Sequence, residues 1–265
     1  MRIIDFHTHI FPDHLAERAM KTLSETSGNM PHFHDGTKSG LLASMDAAGI
    51  DQSVLLPVAT RPEQVRSINA SCADLFSKRT VPFGTLHPRA EDPEAEILFL
   101  KSLDVKGIKL HPEYQDFQVD EPRYFPMYEQ LSAAGLIVVF HAGHDPGPFE
   151  HSDHALPPAL KKVHERFPRL CMVAAHMGGW RVWEEVESLL AGTDIRFDTS
   201  AVQGELPDAA FLRLLRKHGV ERVLFGTDSP WFDQSAMVRW IDALPLTTGE
   251  KERLFFRNAE EVLHA

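Results

Sequence analysis

The sequence predicts an α/β chain folded as one (β/α)8 barrel, a single domain with an extra C-terminal helix. Three observations carry that prediction. Short β-branched apolar runs alternate with amphipathic stretches of helical length. Eight such pairs follow one another. The chain's 265 residues suit the roughly 200 to 250 or more that one such barrel needs.

The runs are 3–9, 53–58, 81–86, 105–111, 136–141, 170–176, 195–199 and 222–227. The predicted helices are 39–48, 62–78, 93–102, 122–134, 157–167, 181–190, 208–218 and 235–243, and 250–264 reads as a terminal helix packed outside the barrel. Many of them open on proline or a capping residue, as helix N-termini do. Gly49, Gly135 and Gly219 each precede a run, where a left-handed residue lets the chain leave a helix and turn back. A doubly wound open sheet is the competing architecture, but it would carry a glycine-rich phosphate loop after its first strand, and this sequence has none there.

Composition narrows the function. With 38 acidic and 27 basic residues the formal net charge is -11, which argues against nucleic acid or an anionic membrane as partner and for a small-molecule substrate. Cys72 and Cys171 stand far apart with no CxxC pairing, so neither a disulfide framework nor a cysteine metal site is expected, and a reducing cytoplasm is the expected location. No apolar run approaches the roughly 18 residues of a membrane span, and MRIIDFHTH shows no basic n-region followed by an apolar h-region, so a soluble, unexported protein is expected.

Histidine is the unusual entry, with 15 residues, several at the ends of apolar runs. In a (β/α)8 barrel the C-terminal strand ends converge on the active-site face. His7 and His9 close the first run, and alternation puts both imidazoles on one face, about 7 Å apart at the backbone, where they can converge on one divalent ion. The same spacing in His32 and His34 falls in a Pro/Gly/Asn-flanked loop and reads as surface or substrate-loop material. His141, His176 and Asp228 end the fifth, sixth and eighth runs. Each alone reads equally as a strand-end histidine bonded to a carbonyl, or an aspartate capping the next helix. Five in register around one rim point to a metal centre.

The ordered set HTH, GIKLHP, HAG, AHMGG, DTS and FGTDSP, from His7 to the closing RNAEEVL, resembles the amidohydrolase superfamily, specifically the amidohydrolase-related group that also contains metal-dependent decarboxylases. The resemblance implies that His7, His9, His141 and Asp228 ligate the metal and that His176 is a neighbouring or catalytic group. It implies zinc as the expected ion, with manganese, iron or cobalt fitting the same site. Lys109 and His111 share parity on the fourth run and offer either a second metal position or a substrate contact; the expectation is one metal.

A bound ion lowers the pKa of water from about 15.7 toward 7. On the hydrolase reading Asp228 then acts as general base and acid and His176 polarises the scissile carbonyl, while Asp198 orients a ligand imidazole. The bond cleaved is expected to be an amide, ester or lactone. Glu113, Tyr114, Gln115, Phe117, His144, Asp145, Phe149, His151, Trp180, Arg181 and Trp231 lie in the following loops, and Trp231, Arg181 and Tyr114 are the candidate substrate contacts. The alternative is a non-oxidative decarboxylase of an aromatic or muconate-type acid. Such relatives tend to be longer, so the chain's length favours hydrolysis. A non-catalytic metal-binding barrel is the third reading, against which the complete ligand set speaks. Base rates allow a homodimer.

Overall fold

The computed structural model describes residues 1–149 and 152–264. Among them the strands are β1 (Ile4–Thr8), β2 (Gln52–Leu55), β3 (Thr80–Pro82), β4 (Gly84–Thr85), β5 (Gly107–Leu110), β6 (Ile137–Phe140), β7 (Met172–Ala174), β8 (Arg196–Asp198) and β9 (Val223–Leu224). Every predicted run overlaps a strand, and the third overlaps two, because pairing shifts at Phe83. The β2–β3 pairing ends at Leu55 and Pro82, and Phe83 N–H donates to the Leu55 carbonyl before Gly84 pairs with Ile108. All pairings are parallel, in the orders β1-β2-β3 and β4 through β9. The barrel closes through the first and last runs. Phe6 N–H donates to Phe225 O at 2.7 Å, Asp228 N–H to His7 O at 2.8 Å, and His9 N–H to Ser229 O at 2.7 Å.

The helices are α1 (Asp13–Thr26), α2 (Lys38–Ala48), α3 (Val65–Leu75), α4 (Pro93–Ser102), α5 (Pro112–Gln115), α6 (Phe125–Ala134), α7 (Pro157–Arg166), α8 (Trp183–Leu189), α9 (Asp208–His218), α10 (Gln234–Ala243), α11 (Thr248–Glu252) and α12 (Asn258–Leu263). Side-chain caps explain several starts: Thr37 accepts from Gly40 N–H and Asp92 from Ala95 N–H. Thr247 and Glu250 form a reciprocal capping box. Gly49 and Gly135 adopt the left-handed conformation expected of them. Gly219 does not: with φ 103 and ψ 118 it extends rather than coils the exit from α9. The sequence pattern does not place α1 or the one-turn α5.

Two apolar layers follow from strand alternation. Ile108, Leu110, Val138, Phe140, Phe197 and Phe225 face the helices, while Ile4, Phe6, Val54, Phe83, Ile137, Val139, Val173 and Leu224 fill the barrel. Ala259, Val262 and Leu263 of α12 join the inner layer. The terminal helix, expected on the outside, therefore plugs the end of the barrel opposite the strand C-termini. A π-helical turn, Arg253–Arg257, connects it to α11.

Candidate metal centre

The candidate residues sit where strands end and the backbone departs from regular structure. In β1 the register shifts between Asp5 and Thr8. This lets Phe6 pack inside the barrel and the next side chain, His7, also turn to the centre. Gly226 allows the close approach: a Cβ there would lie 2.9 Å from His7 Cβ and 3.4 Å from Asp198 Cβ. His176 and Asp228 both hold positive φ, 60 and 69 degrees, a conformation that costs a non-glycine residue roughly 1 to 3 kcal/mol. The fold thus places these two side chains by strained turns, not by strand alternation.

His7 is buried, and its Nδ1–H donates to Asp198 Oδ2 at 2.8 Å. His9 Nδ1–H donates to the Leu56 carbonyl at 2.7 Å. With Nδ1 of each ring donating, Nε2 of each ring faces Asp228 Oδ1, at 3.4 and 3.2 Å. Two lone pairs and a carboxylate oxygen, all acceptors, lie within 4.8 Å of one another. Two ligands each about 2.1 Å from one zinc ion at a tetrahedral angle stand roughly 3.4 Å apart, so this donor set fits a divalent ion. His7 Nε2 also accepts from the buried Lys109 Nζ at 3.2 Å.

Asp198 anchors the arrangement. Its Oδ1 accepts from His176 N–H and Ser200 N–H, each at 3.0 Å, and from the Ser200 hydroxyl. Burial alone would raise its pKa, but the charge and hydrogen bond of His7, with His176 and Ser200, hold it far below the usual carboxylate range. Asp228 behaves alike: burial raises it, and its contact with His9, together with neighbouring His7 and His176, outweighs that, leaving it well below normal. Burial and the Lys109 charge lower His7 to about 4. Burial, then Lys109, puts His111 well below its ordinary value, and burial, then His111, does the same to His141. Burial also lowers His176. These shifts favour the neutral imidazole, the form that ligates a metal. Lys109, lowered by burial to about 8 against the attraction of Asp198, Asp228 and Asp145, keeps its charge at pH 7.

His141 stands apart from His7, His9 and Asp228. Its ring stacks on His111 with centroids 4.2 Å apart, and the two group with Asp145. It reaches the first group through His176, whose Nε2 lies 3.1 Å from His141 Nδ1, while His176 Nδ1 lies 2.9 Å from the Ser200 hydroxyl. Tyr114 packs edge-on against His111 and Phe149, at 4.6 and 5.0 Å, and so borders this side of the site. Trp231 is half-buried beyond Asp228, its N–H donating to the Asp228 carbonyl at 2.9 Å. Arg181 is not brought in: it is exposed, paired with Glu205 at 2.9 Å, its guanidinium over the Trp180 ring. His32 is exposed, whereas His34 Nε2–H meets the Ser229 hydroxyl at 3.0 Å, beside Asp228. His151 lies outside the described residues.

Sequence reasoning does not single out Ser200 or Asp5. Ser200 sits in the DTS motif, and that is the available signal. Asp5 accepts from Thr227 Oγ1 at 2.5 Å and Gln234 Nε2 at 2.8 Å, tying β1 to the run that carries Asp228; burial pushes it up to about 7 against those bonds.

The amidohydrolase family model matches residues 4–265. The chain belongs to the amidohydrolase family. No curated protein matches this amidohydrolase chain in sequence. Among solved structures, a TIM-barrel protein from Bordetella bronchiseptica superposes with a TM-score of 0.81 at 20% identity, over 100% of this chain and 99% of that one. A 2,6-dihydroxybenzoate decarboxylase from Rhizobium gives 0.72 at 16%, over 100% and 99%. A 5-carboxyvanillate decarboxylase from Novosphingobium aromaticivorans, complexed with manganese and 4-hydroxy-3-methoxy-5-nitrobenzoic acid, gives 0.75 at 19%, over 100% and 96%. These likenesses establish the (β/α)8 fold of this amidohydrolase. Among the described residues no helix is long and apolar enough to cross a membrane.

Proposed function

We propose that this chain is a metal-dependent, non-oxidative decarboxylase of a small aromatic carboxylic acid. The observation that carries the metal is the convergence of His7 Nε2, His9 Nε2 and the Asp228 carboxylate, all within 4.8 Å of one another. His7, His9 and Asp228 would hold the ion. The resemblance in sequence would add His141, but its grouping with His111 and Asp145 leads the present reading to leave it out of the first set.

The reaction class rests on the decarboxylase neighbours and on the aromatic border formed by Tyr114, Phe149 and His111. Chain length, expected to favour hydrolysis, does not separate the two, since this chain spans 96 to 99% of those decarboxylases. Manganese in one neighbour supports manganese beside zinc as the ion. When bound, the ion supplies positive charge that orients a substrate carboxylate and stabilises negative charge developing in the substrate.

The residues do the rest. In decarboxylation the bond from ring carbon to carboxylate breaks, its electron pair stays on the ring carbon, that carbon takes a proton, and CO2 leaves. Asp228, which lies against His7 and His9 at the centre of the site, would pass the proton to the ring carbon. Lys109 adds a buried positive charge at the centre. Tyr114 and Phe149 present ring edges to a flat substrate.

Hydrolysis of an amide, ester or lactone is the second reading, favoured by the family description itself. The test is turnover with added Mn2+ or Zn2+ on two panels: hydroxybenzoates and carboxyvanillates followed by CO2 release, and esters, lactones and amides followed by acid release. CO2 release that Asp228→Asn abolishes is the expected result. Acid release alone would replace decarboxylation by hydrolysis, and activity unchanged by metal removal would overturn both.

A further inference from the structure

We propose that Asp5 is a positioning residue, whose carboxylate grips the backbone of the first and last runs and so sets where His7 and Asp228 stand. The assignment rests on the reading of His7, His9 and Asp228 as the ligands of one ion. Asp5 alternates along β1 with Ile4 and Phe6, which fill the barrel, so its side chain lies on the helix side of the strand, where it is fully buried. Its Oδ1 accepts from His7 N–H at 3.1 Å and from Thr227 N–H at 3.0 Å. Its Oδ2 accepts from the Thr227 hydroxyl at 2.5 Å and from Gln234 Nε2 of α10 at 2.8 Å. The Thr227 hydroxyl oxygen in turn accepts from Ser229 N–H at 3.1 Å. One carboxylate thus holds the backbone of His7 and of both neighbours of Asp228, Thr227 directly and Ser229 through a single hydroxyl.

Those are the points at which the backbone under the ligands is irregular. The register of β1 shifts between Asp5 and Thr8, and that shift turns His7 to the centre. Asp228 holds φ 69, a conformation that a non-glycine residue keeps when its surroundings over-determine it. Asp5 supplies the determination at both points at once, so the 3.4 Å between His7 Nε2 and Asp228 Oδ1 is set from behind the strands. The bond from Gln234 differs in kind: it anchors α10 to Asp5 and holds the backbone of neither ligand. This separates positioning from mere stability, because the same carboxylate carries bonds of both sorts and each sort can be removed without the other.

The experiment is calorimetric titration of metal-free protein with Mn2+, with a thermal melt of every variant. Asp5→Ala removes the whole grip. Thr227→Val, nearly the same shape, removes only the hydroxyl between Asp5 and Ser229 N–H. Asp5→Asn is the rescue: its oxygen serves the two backbone donors, and a turned Gln234 amide accepts from its NH2, since Gln234 Oε1 is buried without a partner. Gln234→Met is the control that loses the bond from α10 alone. Asp5→Ala and Thr227→Val are expected to weaken Mn2+ binding by roughly 10 to 100-fold, while Asp5→Asn and Gln234→Met stay within about threefold of wild type, even where Gln234→Met lowers the melting temperature. Thr227→Val binding within about threefold of wild type overturns the proposal, and so does a folded Asp5→Ala that does the same. Should Asp5→Ala not fold, Thr227→Val and Asp5→Asn decide the matter. Weakening in Gln234→Met equal to that in Thr227→Val also overturns it, because the loss would then be a general loosening of the fold. In each of those outcomes the wild type still binds, and the metal reading stands. A wild-type chain that takes up no Mn2+ overturns the metal reading itself, and the role of Asp5 with it.

Discussion

Asp198→Asn tests how the fold sets the chemistry of His7. Asp198 Oδ1 already accepts from three donors, two backbone N–H groups and the Ser200 hydroxyl, so the asparagine oxygen must stay there and the amide NH2 must face His7 Nδ1. Two donors cannot face each other at 2.8 Å. His7 then moves its proton from Nδ1 to Nε2, the nitrogen aimed at Asp228, and loses the lone pair a metal needs. Removing an outer partner of a ligating histidine costs roughly 10 to 100-fold in affinity, or about 1.4 to 2.8 kcal/mol. The lost charge-assisted hydrogen bond costs stability about 1.5 to 3 kcal/mol. Calorimetric titration of metal-free protein with Mn2+ reads the first, and urea unfolding the second. A variant binding within threefold of wild type would refute the tautomer argument.

Other consequences are independent of that one. Gly143 joins the end of β6 to the turn after β7, and a Cβ there would lie 2.2 Å from the Trp180 nitrogen at φ 83. Gly143→Ala should cost about 2 to 4 kcal/mol and lower the melting temperature by roughly 10 °C; an unchanged melt would show that the turn yields. His218 is buried, stacked on Phe197 at 3.8 Å, and accepts from Gly192 N–H; burial, then the Arg222 charge, lowers it from 6.5 to about 4. The unfolded chain therefore protonates first, so this contribution is whole above pH 6.5 and is lost as pH falls toward 4, worth at most about 3 kcal/mol. His218→Gln should flatten that part of the stability profile, measured by urea unfolding at pH 7 and 4.5, and equal losses in both proteins would contradict it.

The strands and outer helices are legible in the sequence because each face has one environment: alternation writes the inner and outer layers of 107–110 and 137–140 directly. Less legible is anything set by irregular backbone. The break at Phe83 and the inward turn of both Phe6 and His7 come from register shifts that no hydrophobic pattern records. The residue types at the rim are visible as strand ends, but their partition into two groups is not. Side-chain direction at His176 and Asp228 follows positive φ, and Arg181, also at positive φ, is carried outward to Glu205. Helix α1 buries only Ala16 and Met20 as a helical stripe, too weak a pattern to read. The terminal helix reads correctly as a helix, whereas its place as a plug depends on the open barrel end it meets.

Anomalous diffraction from crystals grown with Mn2+ tests the central claim most directly. The account predicts a manganese peak roughly 2.0 to 2.3 Å from His7 Nε2, His9 Nε2 and an oxygen of Asp228. A well-ordered site with no peak among those three atoms, or a peak that His7→Ala leaves in place, would contradict it.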